Sequence, residues 1–120
     1  MKHITAVRTV TIPVTDQDRA LEFYRRELGF ETLMDAPLPQ LGGRWLVVGI
    51  PGTSTSIALL AATETGVDTG IRLATADAAQ AHTALNEQGV ATSELIAWPG
   101  VPPMFTFTDC DGNRLYLVQE

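Results

Sequence analysis

The sequence predicts an α+β protein made of two βαβββ modules, and three observations lead to this fold class. The hydrophobic period changes from strand to helix and back to strand within the first 64 residues. The same order begins again at Gly70. The helix starts, Asp16 and Asp77, and the helix stops, Gly29 and Gly89, are each separated by roughly 60 residues, so the register of the repeat holds.

The first predicted module spans residues 1–64. In "VRTVTIPV" the apolar residues Val10, Ile12 and Val14 alternate with others, as they do in a half-buried strand. "TDQDRALEFYRRELGF" then carries apolar residues at helical spacing between Asp16, the N-cap, and Gly29, which ends the helix in a left-handed conformation. The segments "FETLMD", "RWLVVGI" and "SIALLA" predict three strands that complete the module.

The second predicted module spans residues 69–120 and repeats this order. "GIRLAT" predicts a strand, "DAAQAHTALNEQG" a helix, and "SELIAW", "MFTFTD" and "RLYLVQ" three further strands. Two copies are too few for a stacked repeat array. We therefore expect one domain over 1–120, in which the modules are related by a pseudo-twofold axis. Each sheet would cover its helix with one face and curve around a shared cleft with the other.

The composition of the chain argues against several classes of binding partner. The 120 residues are 45% hydrophobic, carry a net charge of -6, and include only eight scattered Lys and Arg, which argues against binding to nucleic acid. The single cysteine, Cys110, excludes an internal disulfide and a cysteine-based zinc site. No apolar run approaches the length of about 18 residues that spans a membrane. We expect a cytoplasmic protein with no nucleic acid or membrane partner.

Two stretches resemble the signatures of the vicinal oxygen chelate superfamily, which includes glyoxalase I, extradiol dioxygenases, fosfomycin resistance enzymes and bleomycin-binding resistance proteins. "VTDQDRALEFYRRELGF" is similar to the pattern V-x-D-x-x-x-A-x-x-F-Y-x-x-x-L-G-F, and "FTDCDGNRLYLVQ" is similar to F-x-D-P-D-G-N-x-x-E-L-x-x. The resemblance covers nearly the whole chain. It implies a divalent metal held by His and Glu from the first and last strand of each module, and a homodimer, since small members commonly complete their clefts from two chains.

This chain departs from that metal pattern. The positions that the resemblance assigns to metal ligands carry neither histidine nor carboxylate: Thr9, Ala58, Gly70 and Tyr116. The two histidines do not replace them, because His3 precedes the first predicted strand and His82 lies within the second predicted helix. The sequence therefore predicts no metal site and no cofactor.

The residues that we expect to bind a ligand are Thr9, Thr11, Ala58, Arg72, Trp98 and Tyr116. Period-2 alternation places Thr11 and Arg72 on the faces that the resemblance turns toward the cleft. Arg72 suits a ligand carboxylate or phosphate, or else pairs with an acidic residue of the protein or of a partner subunit. Tyr116 either contacts the ligand or fills the position of the missing metal. Trp98 lies in the proline-rich "AWPGVPPMF", where it walls a pocket, caps a sheet or packs at a dimer interface.

These expectations favour a metal-independent small-molecule binding protein that sequesters a drug or a metabolite, as bleomycin-resistance proteins do. The alternative is an enzyme. It would be metal-free and use Tyr116 and Arg72 for proton transfer and oxyanion stabilisation, or it would be a glyoxalase-like lyase or isomerase or a dioxygenase-type enzyme that acts on a small oxygenated substrate through metal ligands placed elsewhere. The sequence identifies no catalytic residue and does not name the ligand.

Overall fold

The computed structural model describes residues 3–120, so the first two residues of the predicted 1–64 module lie outside the described part. The fold is α+β, as predicted, with two helices and two mixed sheets of four and three strands. The chain divides into two compact units: the first ends at Thr65, and the second is Gly66–Glu120. Each α-helix among the described residues is ten residues long, and neither has the length or the apolar character needed to cross a membrane.

The first unit contains β1 (Thr9–Val14), α1 (Gln17–Arg26), β2 (Glu31–Leu38), a short 3-10 helix (Pro39–Leu41), β3 (Gly43–Gly49) and β4 (Ser56–Ala61). Its sheet has the order β1-β4-β3-β2, with β1 parallel to β4 and the other pairs antiparallel. Ile12 and Val14 of β1 are fully buried, as the alternation predicts.

Local signals set the ends of α1. The side chain of Asp16 accepts a hydrogen bond from the backbone N–H of Arg19 at 3.1 Å, which satisfies one of the free donors of the first turn. Gly29 follows the helix with a φ of 74°, a conformation that costs glycine little. Ala20 and Tyr24 are fully buried on the face that packs on the sheet.

A buried glutamine joins β3 to β4. The two strands pair at Val47 with Ala58 and at Val48 with Ile57. Nearer the start of β3, the side chain of Gln17 donates to the carbonyl of Arg44 at 2.7 Å and to that of Leu59 at 2.9 Å, and it accepts from the N–H of Arg44 at 3.3 Å. The glutamine side chain thus supplies hydrogen-bond partners to backbone groups of β3 and β4 at the positions where the two strands do not bond to each other.

The second unit contains β5 (Asp68–Thr75), α2 (Ala78–Glu87), β6 (Met104–Thr108) and β7 (Arg114–Gln119), with the sheet order β5-β7-β6. The strand predicted for "SELIAW" is replaced by two isolated bridges, Thr92 with Phe107 and Ile96 with Met104. Between these bridges the N–H of Thr106 donates to the hydroxyl of Ser93 at 2.8 Å. A side chain takes the place of a backbone carbonyl there, and this interrupts the regular ladder.

The turn that contains the D-G-N motif is held by its own side chains. Asp109 accepts hydrogen bonds from the N–H groups of Asp111 at 2.9 Å and Asn113 at 3.0 Å. Asn113 is fully buried, and its side-chain Oδ1 accepts hydrogen bonds from the N–H groups of Gly66 at 2.9 Å and Val67 at 3.0 Å. The motif therefore ties the turn before β7 to the segment that leads into β5.

Candidate ligand-binding site

The exposed face of the second sheet brings Arg72 and Tyr116 together. Residues of β5 alternate, with Ile71 and Leu73 half-buried and Arg72 exposed, as the sequence predicts. β5 and β7 are parallel, and Arg72 is the register partner of Tyr116. Paired residues of neighbouring strands project from the same face of a sheet, so the two side chains meet.

The guanidinium of Arg72 stacks on the ring of Tyr116, with its central carbon 4.2 Å from the ring centroid. Its Nη1 also donates to the backbone carbonyl of Gly70 at 2.8 Å. Within residues 3–120, no carboxylate lies within 4.0 Å of the Arg72 nitrogens. We call this stacked pair the Arg72–Tyr116 platform. A cation over an aromatic face is a stabilising arrangement of about 0.5–1 kcal/mol where it is exposed.

Asp68, at the start of β5, contacts the edge of the platform. Tyr116 Oη donates a hydrogen bond to Asp68 Oδ2 at 2.8 Å, and the N–H of Gly70 donates to Asp68 Oδ1 at 3.1 Å. Arg114 Nη1 lies 3.6 Å from the same Oδ2. The hydrogen bond from Tyr116, followed by that from Gly70 and by the positive charges of Arg114 and Arg72, lowers the pKa of Asp68 below its usual value.

A bulge in β5 shapes this edge of the sheet. The register with β7 shifts between Asp68 and Arg72, and Gly70 within the bulge has a φ of 68°. Thr69 holds the bulge, since its hydroxyl donates to the carbonyl of Arg114 at 2.7 Å and accepts from the N–H of Ile71 at 3.1 Å. The bulge turns the Gly70 carbonyl to where Arg72 can reach it.

In the first unit, the predicted residues lie on one face of the sheet. Thr9 pairs with Ser56, and their hydroxyl oxygens are 3.0 Å apart. Thr11 pairs with Ala58; Thr11 is exposed, whereas Ala58 is fully buried. The hydroxyl groups of this face offer hydrogen bonds, and Ala58 offers no accessible surface.

Trp98 stands apart from the platform within the second unit. The residue is 65% exposed and lies on a turn closed by a hydrogen bond from the N–H of Val101 to the Trp98 carbonyl at 3.1 Å. In the part of the chain that the structure describes, no hydrogen bond or ring contact joins Trp98 to Arg72 or Tyr116.

The four positions assigned to metal ligands do not fit a divalent metal. Ala58 and Gly70 have no donor atom in their side chains. The Thr9 hydroxyl is engaged by Ser56, and the Tyr116 hydroxyl by Asp68. No group of three or more His, Cys, Asp and Glu that could hold a metal occurs among residues 3–120. Hard divalent cations require several such oxygen or nitrogen donors together.

A wide surface groove lies elsewhere, on the first unit. It has a volume of about 900 Å³ and combines three acidic residues and two arginines with a few uncharged side chains: Asp18, Leu21, Glu22, Arg25, Arg26, Phe30, Glu31 and Thr32. Arg26 and Glu22 form an exposed ion pair at 2.8 Å in this groove. None of the predicted site residues lines it, and its mixed charges are typical of a solvated helix face.

Sequence reasoning missed Asp68 and Arg114. Neither residue is among the positions that the family resemblance assigns to the site, and the predicted strand "GIRLAT" begins only at Gly70. An aspartate two residues before a glycine is a signal for a local side-chain turn, and here the N–H of Gly70 does bond to Asp68. That signal indicates a local turn at Gly70, but it predicts neither the bulge nor the contact with Tyr116.

Comparison with known proteins identifies the family. The chain belongs to the glyoxalase/bleomycin resistance protein/dioxygenase superfamily, whose model matches residues 2–117. The resemblance seen in the two sequence motifs is thereby confirmed.

Solved structures agree with this assignment. The chain is similar to TnmS3, an antibiotic binding protein from Streptomyces sp. CB03234, with 33% identity, coverage of 99% of this chain and 98% of that one, and a TM-score of 0.87. A superfamily member from Sphaerobacter thermophilus DSM 20745 is 36% identical over 98% of both chains, with a TM-score of 0.87.

A third structure, a glyoxalase/bleomycin resistance protein from Streptomyces sp. CB03234, is 33% identical over 95% of this chain and 100% of that one, with a TM-score of 0.79. No curated protein matches the chain.

Proposed function

We propose that the protein binds a small planar anion at the Arg72–Tyr116 platform and sequesters it unchanged, without a metal. One observation carries the proposal: the guanidinium lies over the Tyr116 ring, with its central carbon 4.2 Å from the ring centroid, while Nε and Nη2 make no hydrogen bond to any described residue. These two nitrogens form the edge of arginine that binds carboxylates through two parallel hydrogen bonds. An anionic group attached to an aromatic plane matches both the charge and the shape of this arrangement.

The family supports the class of ligand. TnmS3, which is described as an antibiotic binding protein, matches this chain over nearly its whole length. The tyrosine and glycine at two of the positions assigned to metal ligands form and support the platform instead, since Tyr116 stacks on Arg72 and the Gly70 carbonyl accepts from it. Binding without chelation is therefore the chemistry that these side chains favour.

We also propose that Thr9, Thr11 and Trp98, which carry surface that a ligand can reach, contact the ligand in a cytoplasmic homodimer, with 1–120 acting as one domain. Ala58 was predicted together with them, but its complete burial leaves it no surface for a ligand. Dimerisation rests on the family resemblance.

Titration calorimetry with 2-naphthoate as the probe tests the proposal. Arg72→Gln should weaken binding by about tenfold to a hundredfold, because hydrogen bonds to a charged group contribute about 1.5–3 kcal/mol. Arg72→Lys should also weaken it, since lysine keeps the charge but loses the planar fork. Arg25→Gln removes the same charge from the exposed surface of α1 and should leave the affinity unchanged. Equal affinities in all four proteins would exclude the platform as the binding site.

Two further measurements separate sequestration from catalysis. Mass spectrometry of the probe after long incubation should recover it unchanged. Elemental analysis of protein purified without chelator, together with thermal melts in the presence of zinc, nickel, manganese or iron, should show no stoichiometric metal and no raised melting temperature. Bound metal, or conversion of the probe, would contradict the proposed function and favour an enzyme.

A further inference from the structure

We infer that Asp68 is the positioning residue of the Arg72–Tyr116 platform, holding its two supports in place so that the arginine fork is presented to a planar anion. The inference rests on the proposed function for the identity of the site. It adds a residue that the sequence motifs do not mark, and it assigns that residue a role that its charge alone would not suggest.

The two carboxylate oxygens of Asp68 bind different partners. Oδ2 accepts the hydrogen bond from Tyr116 Oη at 2.8 Å, and Oδ1 accepts the hydrogen bond from the N–H of Gly70 at 3.1 Å. Those two partners are also the groups that hold Arg72, through the Tyr116 ring and the Gly70 carbonyl. One carboxylate therefore fixes both supports of the guanidinium.

Neither the Gly70 backbone nor the Tyr116 side chain is held in place by packing alone. Gly70 lies in the bulge with a φ of 68°. Glycine can adopt many backbone conformations, and the hydrogen bond from its N–H to Asp68 selects this one. The Tyr116 side chain is partly exposed, so packing alone does not set the direction of its hydroxyl. A hydrogen bond at the far end of the ring restrains the plane on which Arg72 stacks.

Asp68 has two possible effects on the affinity for an anion, and these effects have opposite signs. A carboxylate beside an anion site repels the anion, so if Asp68 were only a neighbouring charge, its removal would strengthen anion binding. If Asp68 is a positioning residue, its removal releases the ring and the bulge, and binding weakens despite the lost repulsion. The two roles predict changes in opposite directions.

The first experiment needs no ligand. A ring current from Tyr116 should shift the Arg72 Nε–H proton upfield in the NMR spectrum of the wild-type protein, because the guanidinium lies over the ring face. Asp68→Ala should move this signal toward the position of an unstacked arginine. Asp68→Asn keeps one oxygen acceptor for the N–H of Gly70, and its amide NH2 can donate to Tyr116 Oη in place of the present bond, so this variant should retain most of the upfield shift. An unchanged signal in Asp68→Ala would overturn the inference, whatever the binding measurements show.

The second experiment measures the affinity for 2-naphthoate. Asp68→Ala should bind it about three- to tenfold more weakly than wild type, whereas Asp68→Asn should bind it equally well or better. Glu94→Gln removes one negative charge from an exposed position of the same unit and serves as the control for net charge. Stronger binding by Asp68→Ala would overturn the positioning role.

The two experiments keep the inference and the proposed function apart. If the Arg72 signal responds to Asp68 as expected but the wild-type protein does not bind 2-naphthoate, presentation to a planar anion and the proposed function are both contradicted, while Asp68 remains the residue that orders the pair. If the wild-type protein binds the probe and neither readout responds to Asp68, the proposed function stands and the inference is wrong.

The neutral 2-naphthamide should bind more weakly than 2-naphthoate to the wild-type protein, since it lacks the anion.

Discussion

Replacing Gln17 by leucine should destabilise the first unit by about 2–4 kcal/mol. The residue is 9% exposed, and its amide makes three hydrogen bonds, to the carbonyls of Arg44 and Leu59 and to the N–H of Arg44. Leucine has a similar size but neither donor nor acceptor, so these three backbone groups lose their partner. A buried polar group left unpaired costs about 1–3 kcal/mol. Because Arg44 is only half-buried, water relieves part of that cost and the total stays below the simple sum.

Urea denaturation monitored by tryptophan fluorescence measures this loss. The chain has two tryptophans, so a Trp98→Phe background leaves Trp45 of β3 as the reporter of the first unit. In a thermal melt of the same variant, the midpoint temperature should fall by roughly 10 °C for a chain of this size. Gln80→Leu makes the same exchange at an exposed position in the first turn of α2 and should change the free energy of unfolding by less than about 0.5 kcal/mol.

A Gln17→Leu variant as stable as the Gln80→Leu control would refute the reasoning. It would mean that the backbone groups of β3 and β4 find water or each other when the amide is removed, and that the glutamine does not join the strands. A loss of equal size in both variants would point instead to the effect of leucine in the first turn of a helix.

Two further predictions concern the second unit. Asn113→Ala should destabilise this unit by about 2–4 kcal/mol, because the N–H groups of Gly66 and Val67 lose their acceptor. Amide hydrogen exchange at these two residues should become faster, and unchanged exchange rates would contradict the prediction. Because the pKa of Asp68 is lowered in the folded protein, its stabilising contribution should be complete above the unfolded value of about 3.9 and be lost as the pH falls through the lower folded value. Carbon NMR titration should show this pKa rising in Tyr116→Phe.

The sequence by itself determined the features that depend on neighbouring residues. Asp16 caps α1 and Gly29 follows its end with a positive φ, as predicted, because both signals act within a few residues of the helix end. The alternation of β1 correctly predicted that Ile12 and Val14 are buried. The superfamily followed from two motifs, of which the D-G-N turn is now seen as a network centred on Asp109.

Side chains that compete with the backbone limited the prediction of strands. "SELIAW" has the composition of a strand, yet the hydroxyl of Ser93 takes the N–H of Thr106, and only isolated bridges to β6 remain. Whether a serine side chain or a backbone carbonyl satisfies a given N–H depends on how closely two segments approach. Composition carries no information about that distance.

Only the tertiary structure decided how the candidate site is built. Arg72 was predicted as a site residue from strand parity and Tyr116 from the family resemblance, but their contact at 4.2 Å follows from the parallel register of β5 and β7. Asp68 reaches Tyr116 across 48 positions of sequence, and it does so because a bulge around Gly70 shifts that register. Local patterns assign a residue to a face of a strand, whereas contacts between strands depend on register and bulges, which are set by the packing of the whole sheet.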